Sequence, residues 1–227
     1  PPSEAARGAA AETARVGGVE LCAQLPRPAR PRSDSFRQLA RTQGAPPRQP
    51  APAESDSLRL VYSYVAVYGD PLLNPRLNPY PDGLLQRLSA AGINGVWLHA
   101  VLRDLAPGGP AFPEFGVHHE QRLANLQTLV KRARHYGIGV YLYLNEPRAM
   151  PAAFFAQRPD LAGVREDDAT ALCTSHPAVR QWMEDALAFV FARVPGLAGV
   201  YAITASENLT SCASHGNWRS CQRCQAR

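Results

Sequence analysis

Two carboxylates follow closely on apolar stretches of the chain and could act as an acid or a base. Glu207 comes after the run 199–205, and Glu146 comes after the run 139–144. In a (β/α) barrel, buried parallel strands deliver catalytic side chains at their carboxyl ends. Hydrolysis of a glycosidic bond requires a pair of carboxylates. Two such strand ends therefore predict sugar hydrolysis.

Glu207 is the predicted general acid. It lies between the apolar residues Ala205 and Leu209, so we expect partial desolvation of its carboxyl group, as an acid catalyst requires. The simpler alternative is a loop glutamate that caps the following helix. Glu146 is predicted to end the third strand, where it binds or orients the substrate or forms a structural pair with Arg148.

Further polar and aromatic side chains lie at or near the same predicted strand ends and are candidates for substrate binding. They are Tyr68, His99, Asn145, Arg148, His176, Asn208 and Trp218. An aromatic ring at a strand end can serve as a stacking platform, while an amide, imidazole or guanidinium can bond a sugar hydroxyl. Each has a structural alternative. The rings then serve only for packing, His99 is a hydrogen-bonded core residue, and His176 lies at the start of the helix that Pro177 begins.

A second constellation has the spacing of a metal site. Cys212, His215, Cys221 and Cys224 supply four ligands of the kind that zinc prefers, including one Cys-x2-Cys pair. The sequence therefore predicts a structural zinc in the loop after strand four, and no other cofactor. The alternatives are a disulfide between Cys221 and Cys224, free thiols, or a His215 that belongs to the substrate site. Cys173 has no partner that the spacing reveals.

The elements that must position these residues repeat one plan. The pattern predicts four main strands, over 60–68, 93–99, 138–144 and 197–205, and a small one over 169–174. Helices are predicted over 83–91, 120–136, 150–157 and 176–194. The main strands are almost continuously apolar, which is typical of a parallel sheet that is covered on both faces.

Strand–helix alternation places the chain in the α/β class. Four strand–helix units are about half of an eight-fold (β/α)8 TIM barrel, because a complete one needs roughly 250 residues. We therefore expect the N-terminal half of such a barrel over 58–227, with a C-terminal portion missing. A compact open sheet is the alternative. Residues 1–57, rich in Pro, Arg and Ala, are predicted to be a disordered lead-in or linker.

Three segments resemble a known group of enzymes: 141–151, 172–177 and 203–208 are similar to bacterial TIM-barrel glycoside hydrolases of the family 20-like (β-N-acetylhexosaminidase-like) type. The resemblance implies a carbohydrate substrate and an acid at Glu207. Those hexosaminidases carry an Asp where this chain has Ser206, so it does not imply their substrate-assisted mechanism. The Asn-Glu-Pro at 145–147 also resembles the acid/base motif of cellulase-like barrels, which ends strand four. That assignment would require another strand before Leu60.

Composition excludes several classes of function. The formal net charge is +5, but many arginines lie among Pro and Ala in the first 48 residues, so we expect a solvated tail and no nucleic-acid partner. No apolar run reaches the roughly 18 residues that a membrane span requires. No signal peptide is evident, so a cytoplasmic location is expected. The oligomeric state is not indicated.

Overall fold

The computed structural model describes residues 57–204 and 207–226. The predicted lead-in over 1–57 lies outside the described residues, apart from Ser57. The strands are β1 (Leu60–Val61), β2 (Gly95–Ala100), β3 (Gly139–Leu144), β4 (Ala149–Pro151), β5 (Ala162–Glu166), β6 (Ala169–Leu172) and β7 (Gly199–Ala202). The α-helices are α1 (Asp82–Ala90), α2 (Leu102–Leu105), α3 (His119–His135), α4 (Pro177–Arg193) and α5 (Gln222–Gln225). None of these helices is both long enough and apolar enough to cross a membrane.

Four strands form one parallel sheet whose spatial order follows the chain, β1-β2-β3-β7. Parallel neighbours need crossover connections, and α1, α3 and α4 lie in the three connections. The register pairs Gly95 with Gly139 and Tyr143 with Tyr201. The α/β class is confirmed. Within the described part of the chain the sheet is open rather than closed into a barrel.

The two faces of this sheet differ in burial. One face belongs to the main hydrophobic core, with Val96, Leu98, Val140 and Leu142 fully buried together with apolar side chains of α3 and α4. Side chains alternate between faces along a strand. The intervening residues therefore lie on the opposite face, where they are half-buried or exposed: Trp97, His99, Tyr141, Tyr143 and Tyr201. The prediction that both faces are covered is wrong for the residues described.

The three long helices end close to their predicted bounds because their caps are encoded locally. His176 caps α4 by accepting a hydrogen bond at Nδ1 from the backbone N–H of Ala178 (3.2 Å), and Pro177 occupies the first turn. The α3 helix ends before Gly137, whose φ of +72° is the left-handed conformation that favours glycine.

A second, smaller sheet lies apart from the first. Its strands are antiparallel in the order β4-β6-β5. Residues 207–226, the C-terminal segment, pack on this sheet, where the backbone N–H of Ala149 donates to the carbonyl of Leu209 (3.0 Å). A separate small core forms here, from Val164, Ala171, Cys173, Cys212 and Cys221. The C-terminal segment is thus attached to the small sheet rather than to the parallel one.

Several predicted elements need correction. The first strand does not extend over 60–68, because the hydroxyl of Tyr80 donates to the backbone carbonyl of Trp97 and accepts from the N–H of Ser63. This buried ring interrupts the pairing of β1 with β2, and the chain continues as a 3-10 turn, Tyr64–Ala66. The predicted helix over 150–157 is instead β4 followed by a 3-10 turn, Ala152–Phe155. Strand β5 was not predicted.

Candidate functional site

A cleft of about 900 Å³ lies on the uncovered face of the parallel sheet. Because the carboxyl ends of parallel strands meet at one edge, residues from β2, β3 and β7 converge there. The cleft is lined by Leu58, Leu60, Tyr62, Val67, Tyr68, Trp97, His99, Tyr143, Asn145, Arg148, Tyr201, Ile203, Glu207 and Asn208. Six of the predicted site residues are therefore brought together: Tyr68, His99, Asn145, Arg148, Glu207 and Asn208.

A row of aromatic rings crosses the floor of the cleft. Tyr62 stacks on Trp97 with ring centroids 4.3 Å apart, Trp97 on Tyr143 at 4.7 Å, and Tyr143 meets Tyr201 at 5.6 Å. Rings that stack on one another cover each other's faces. The two inner rings, Trp97 and Tyr143, therefore present mainly their edges. The outer rings, Tyr62 and Tyr201, are 56% and 46% exposed and retain accessible faces. The row offers the amphipathic surface that suits sugar rings.

A polar pair occupies the end of the cleft near β2 and β3. The guanidinium of Arg148 donates to Nε2 of His99. Burial lowers the pKa of His99, and the charge of Arg148 lowers it further, so the imidazole is neutral near pH 7 and can accept this bond. Arg148 has a φ of +71°, a strained conformation for a non-glycine residue. Such strain tends to concentrate at functional sites.

Asn145 provides an unsatisfied acceptor at the same place. Its side chain is only 4% exposed, yet Oδ1 is buried without a hydrogen-bond partner. A buried polar atom without a partner costs about 1–3 kcal/mol.

Glu207 follows β7, the edge strand of the parallel sheet that is farthest from β1. It lines the cleft with Asn208 and is solvent-exposed. The predicted desolvation of this carboxyl group is therefore not observed among the described residues. Tyr68, from the other end of the sheet, is 58% exposed at the same cleft.

Glu146 is placed differently from Glu207. It does not line the cleft; its Oε1 accepts the backbone N–H of Leu102 (2.8 Å), and its Oε2 is buried without a hydrogen-bond partner. Burial raises the pKa of Glu146 to about 7, against the opposing effects of the Leu102 N–H, Arg148 and Arg103. The expected convergence of Glu146 and Glu207 in one hollow is not observed. The predicted structural pairing of Glu146 with Arg148 is also not direct, because Arg148 bonds His99.

Four cysteines form the second constellation, and its membership differs from the prediction. Sulfur atoms of Cys173, Cys212, Cys221 and Cys224 all lie within 4.8 Å of one another. His215 is not part of this group. Its Nδ1 bonds Oε2 of Glu166 at 2.6 Å, while Asn217 donates to the other oxygen. These two bonds hold the pKa of Glu166 below its usual range.

Two further predicted site residues lie elsewhere. His176 caps α4 and places Nε2 3.2 Å from Oδ2 of Asp160, so it serves as a helix entry. Trp218 is covered by the guanidinium of Arg219, 4.5 Å from its ring centroid, and is not among the cleft residues. Position along the sequence relative to a strand end does not determine the direction of a side chain.

The prediction missed three rings of the row, Trp97, Tyr143 and Tyr201, and the fourth cysteine. Trp97 and Tyr143 alternate with the buried aliphatic residues of β2 and β3, and this period of two is a signal in the sequence of both strands. Tyr201 gives no such signal, because its neighbours Val200 and Ala202 are also exposed. Cys173 lies far from the other three cysteines in sequence, so spacing alone could not group it with them.

Comparison with known proteins yields distant structural similarities. No protein-family model matches the chain, and no curated protein matches it. A noncanonic maltogenic alpha-amylase, AmyB, from Thermotoga neapolitana is similar at 15% identity and TM-score 0.39, over 63% of this chain and 39% of the amylase. A chitobiase from Flavobacterium johnsoniae is similar at 16% identity and TM-score 0.38, over 70% of this chain and 25% of the chitobiase. The chain thus spans well under half of either protein.

Proposed function

We propose that the chain binds a carbohydrate in the cleft and takes part in hydrolysis of a glycosidic bond, with Glu207 as general acid. The observation that carries this proposal is the composition of the cleft. It holds an exposed carboxyl group, the amide residues Asn145 and Asn208, and a row of aromatic rings. The polar side chains of the cleft can bond the hydroxyl groups of a sugar, and the aromatic rings can contact its flat C–H faces.

The proposed roles follow from the contacts. Asn145, Asn208 and the neutral His99 would bond sugar hydroxyls, while Arg148 keeps the imidazole in place through its bond to Nε2. Tyr68, Tyr62 and Tyr201 would contact the sugar ring through their exposed faces. A bound sugar would also displace water around Glu207 and supply the desolvation that a general acid needs.

A glycosidase needs a second carboxylate, about 5–5.5 Å from the acid for retention or 6.5–9.5 Å for inversion. Glu207 is the sole carboxylate among the described residues that line the cleft. We propose that the second comes from a segment outside those residues. The sequential order of the four parallel strands is that of a (β/α) barrel, and we propose that the sheet is the N-terminal half of one. Glu146, which lies behind the cleft, is then a positioning residue.

The test compares Glu207→Gln with Glu184→Gln, which removes an exposed carboxylate from α4 away from the cleft. Both changes are made in the full natural protein, and turnover is measured on a panel of p-nitrophenyl glycosides of both anomers. Loss of a general acid lowers kcat by about 10²–10⁴-fold. We expect that loss in Glu207→Gln and none in Glu184→Gln. Equal turnover in both variants and the parent would rule out Glu207 as the acid.

Carbohydrate binding without hydrolysis is the second candidate, and the exposure of Glu207 together with its isolation from other described carboxylates favours it. It predicts no turnover in the parent protein but measurable affinity for oligosaccharides by calorimetry. Asn145→Ala and Tyr201→Ala should weaken that affinity, whereas Glu207→Gln should leave it nearly unchanged. Absence of both turnover and affinity would exclude both candidates.

A further inference from the structure

We propose that Cys173, Cys212, Cys221 and Cys224 bind one structural zinc ion that fastens the C-terminal segment to the small antiparallel sheet. Among the described residues, this is the one group of three or more potential ligands with atoms close enough to share an ion. The proposal does not depend on the function of the cleft.

The spacing of the sulfur atoms matches a single tetrahedral ion. With Zn–S bonds of about 2.3 Å, the sulfurs of a ZnS₄ tetrahedron lie about 3.8 Å apart. Sγ of Cys173 lies 3.7 Å from Sγ of Cys221 and 3.7 Å from Sγ of Cys224. In an iron–sulfur cluster the four cysteines are distributed over two or four iron atoms, so four mutually adjacent sulfurs fit one ion better.

The pattern is also unlike that of disulfides. All four cysteines are free, and Cys173 is equally distant from two of the others instead of paired with one. Cys173, Cys212 and Cys221 are buried at 0%, 2% and 6% exposure. The small core contains few apolar side chains besides these four cysteines. A bound ion would supply the stabilisation that hydrophobic contacts provide in a larger core.

The surroundings suit thiolate ligands. The backbone N–H of Val164 donates to Sγ of Cys212 at 3.4 Å, and Sγ of Cys224 lies 3.4 Å from the hydroxyl of Ser175. The guanidinium of Arg223 bonds the backbone carbonyls of Ala162 and Asp160 and lies near Cys173. Four thiolates around Zn²⁺ carry a net charge of −2, so such donors and one nearby cation stabilise the bound state.

The ligands come from separate parts of the chain. Cys173 follows β6, and Cys212 lies in the loop after Glu207. Cys221 immediately precedes α5, and Cys224 lies within it. An ion bound by all four would join the small sheet to residues 212–224. A closed four-thiolate site leaves no open coordination position, so its role is structural.

The experiment measures metal content of the full chain by elemental analysis after purification without chelators. We expect about one zinc per chain in the parent protein and in His215→Ala, because His215 bonds Glu166 and not the cysteines. Cys173→Ala should lose the zinc. This pair separates the four-cysteine site from a site made of Cys212, His215, Cys221 and Cys224.

A measurement on the parent protein keeps the proposal testable if Cys173→Ala fails to fold. Cobalt is substituted for zinc, and the thiolate-to-cobalt charge-transfer absorption reports the number of sulfur ligands. Four thiolates support the proposal; three overturn it. Substoichiometric zinc in the parent, iron in its place, retention of zinc by Cys173→Ala, or its loss from His215→Ala would each overturn it as well.

Discussion

At the scale of single residues, the two glutamates that follow predicted strands have opposite environments. Glu207 is exposed at the cleft, while Glu146 is shielded and has one carboxyl oxygen without a partner. One residue away, Asn145 lines the cleft and Glu146 does not. Adjacent residues at a strand end point in opposite directions. Asn145 therefore lines the cleft, whereas the carboxyl group of Glu146 is turned away from it and buried.

Burial of Glu146 should make stability depend on pH. Its pKa in the folded protein is raised from 4.5 to about 7 by burial. The neutral form is favoured, so its contribution to stability is fully present below pH 4.5 and is lost as pH rises through 7. Relative to Glu146→Gln, the parent protein should lose on the order of 3 kcal/mol of unfolding free energy across that range. Urea titrations at several pH values measure this difference.

Glu166→Gln serves as a comparison with the opposite sign. Bonds from His215 and Asn217 lower the pKa of Glu166, so its contribution to stability is present above the usual pKa and is lost as pH falls. The parent should therefore gain stability over Glu166→Gln as pH rises through the acidic range. If both variants drift from the parent in the same direction, the assigned environment of Glu146 is incorrect.

At the scale of elements, β5 and the loop that carries Cys212 are in close contact through a glycine. A methyl group on Gly163 would collide with Sγ of Cys212 and would lie 3.0 Å from the backbone carbonyl of Ala171. Backbone atoms cannot move aside as easily as the end of a side chain. The absence of a side chain at Gly163 thus allows the small sheet and the cysteine loop to pack together.

We expect Gly163→Ala to destabilise the protein by about 1–3 kcal/mol, the usual cost of overpacking, and to lower its zinc content. The matched control is Gly83→Ala in α1, where the added methyl group meets only the guanidinium of Arg87 at 3.7 Å. That variant should be as stable as the parent or slightly more so, because alanine favours the helix. Thermal unfolding and elemental analysis provide the two measurements. Equal stability of the two variants would contradict the close packing at Gly163.

At the scale of the whole molecule, the described residues contain two separate cores. The larger combines the parallel sheet with α1, α3 and α4, and the smaller surrounds the four cysteines. Glu207 and Asn208 lie between these regions, because they line the cleft and precede the loop of Cys212. We therefore expect a change in the stability of the small core to alter how firmly this wall of the cleft is held.

Removal of the proposed zinc ion should loosen the two cores to different extents. After treatment with a strong chelator, amide hydrogen exchange should increase in β5, β6 and residues 207–226. Exchange in β2, β3 and α3 should stay slow, because their contacts lie in the larger core. Mass spectrometry of peptides measures both regions in one sample, and addition of zinc should restore the protection. Uniform acceleration in both cores would show that they do not open separately.

The sequence by itself determined the elements whose signals are local. Helices α1, α3 and α4 and strands β2 and β3 lie within two residues of their predicted bounds, because apolar spacing and capping residues act within a few positions. The convergence of His99, Asn145, Arg148, Glu207 and Asn208 likewise followed from the parallel strands that contain or precede them.

Tertiary structure alone decided which distant groups meet. Tyr80 ends the pairing of β1, Glu166 binds His215, and Cys173 joins three cysteines near the end of the described chain. Tertiary contacts likewise decided that one face of the sheet is uncovered and that Glu146 is buried. Contacts between residues far apart in sequence depend on how completed strands and helices pack, and no local pattern specifies that packing.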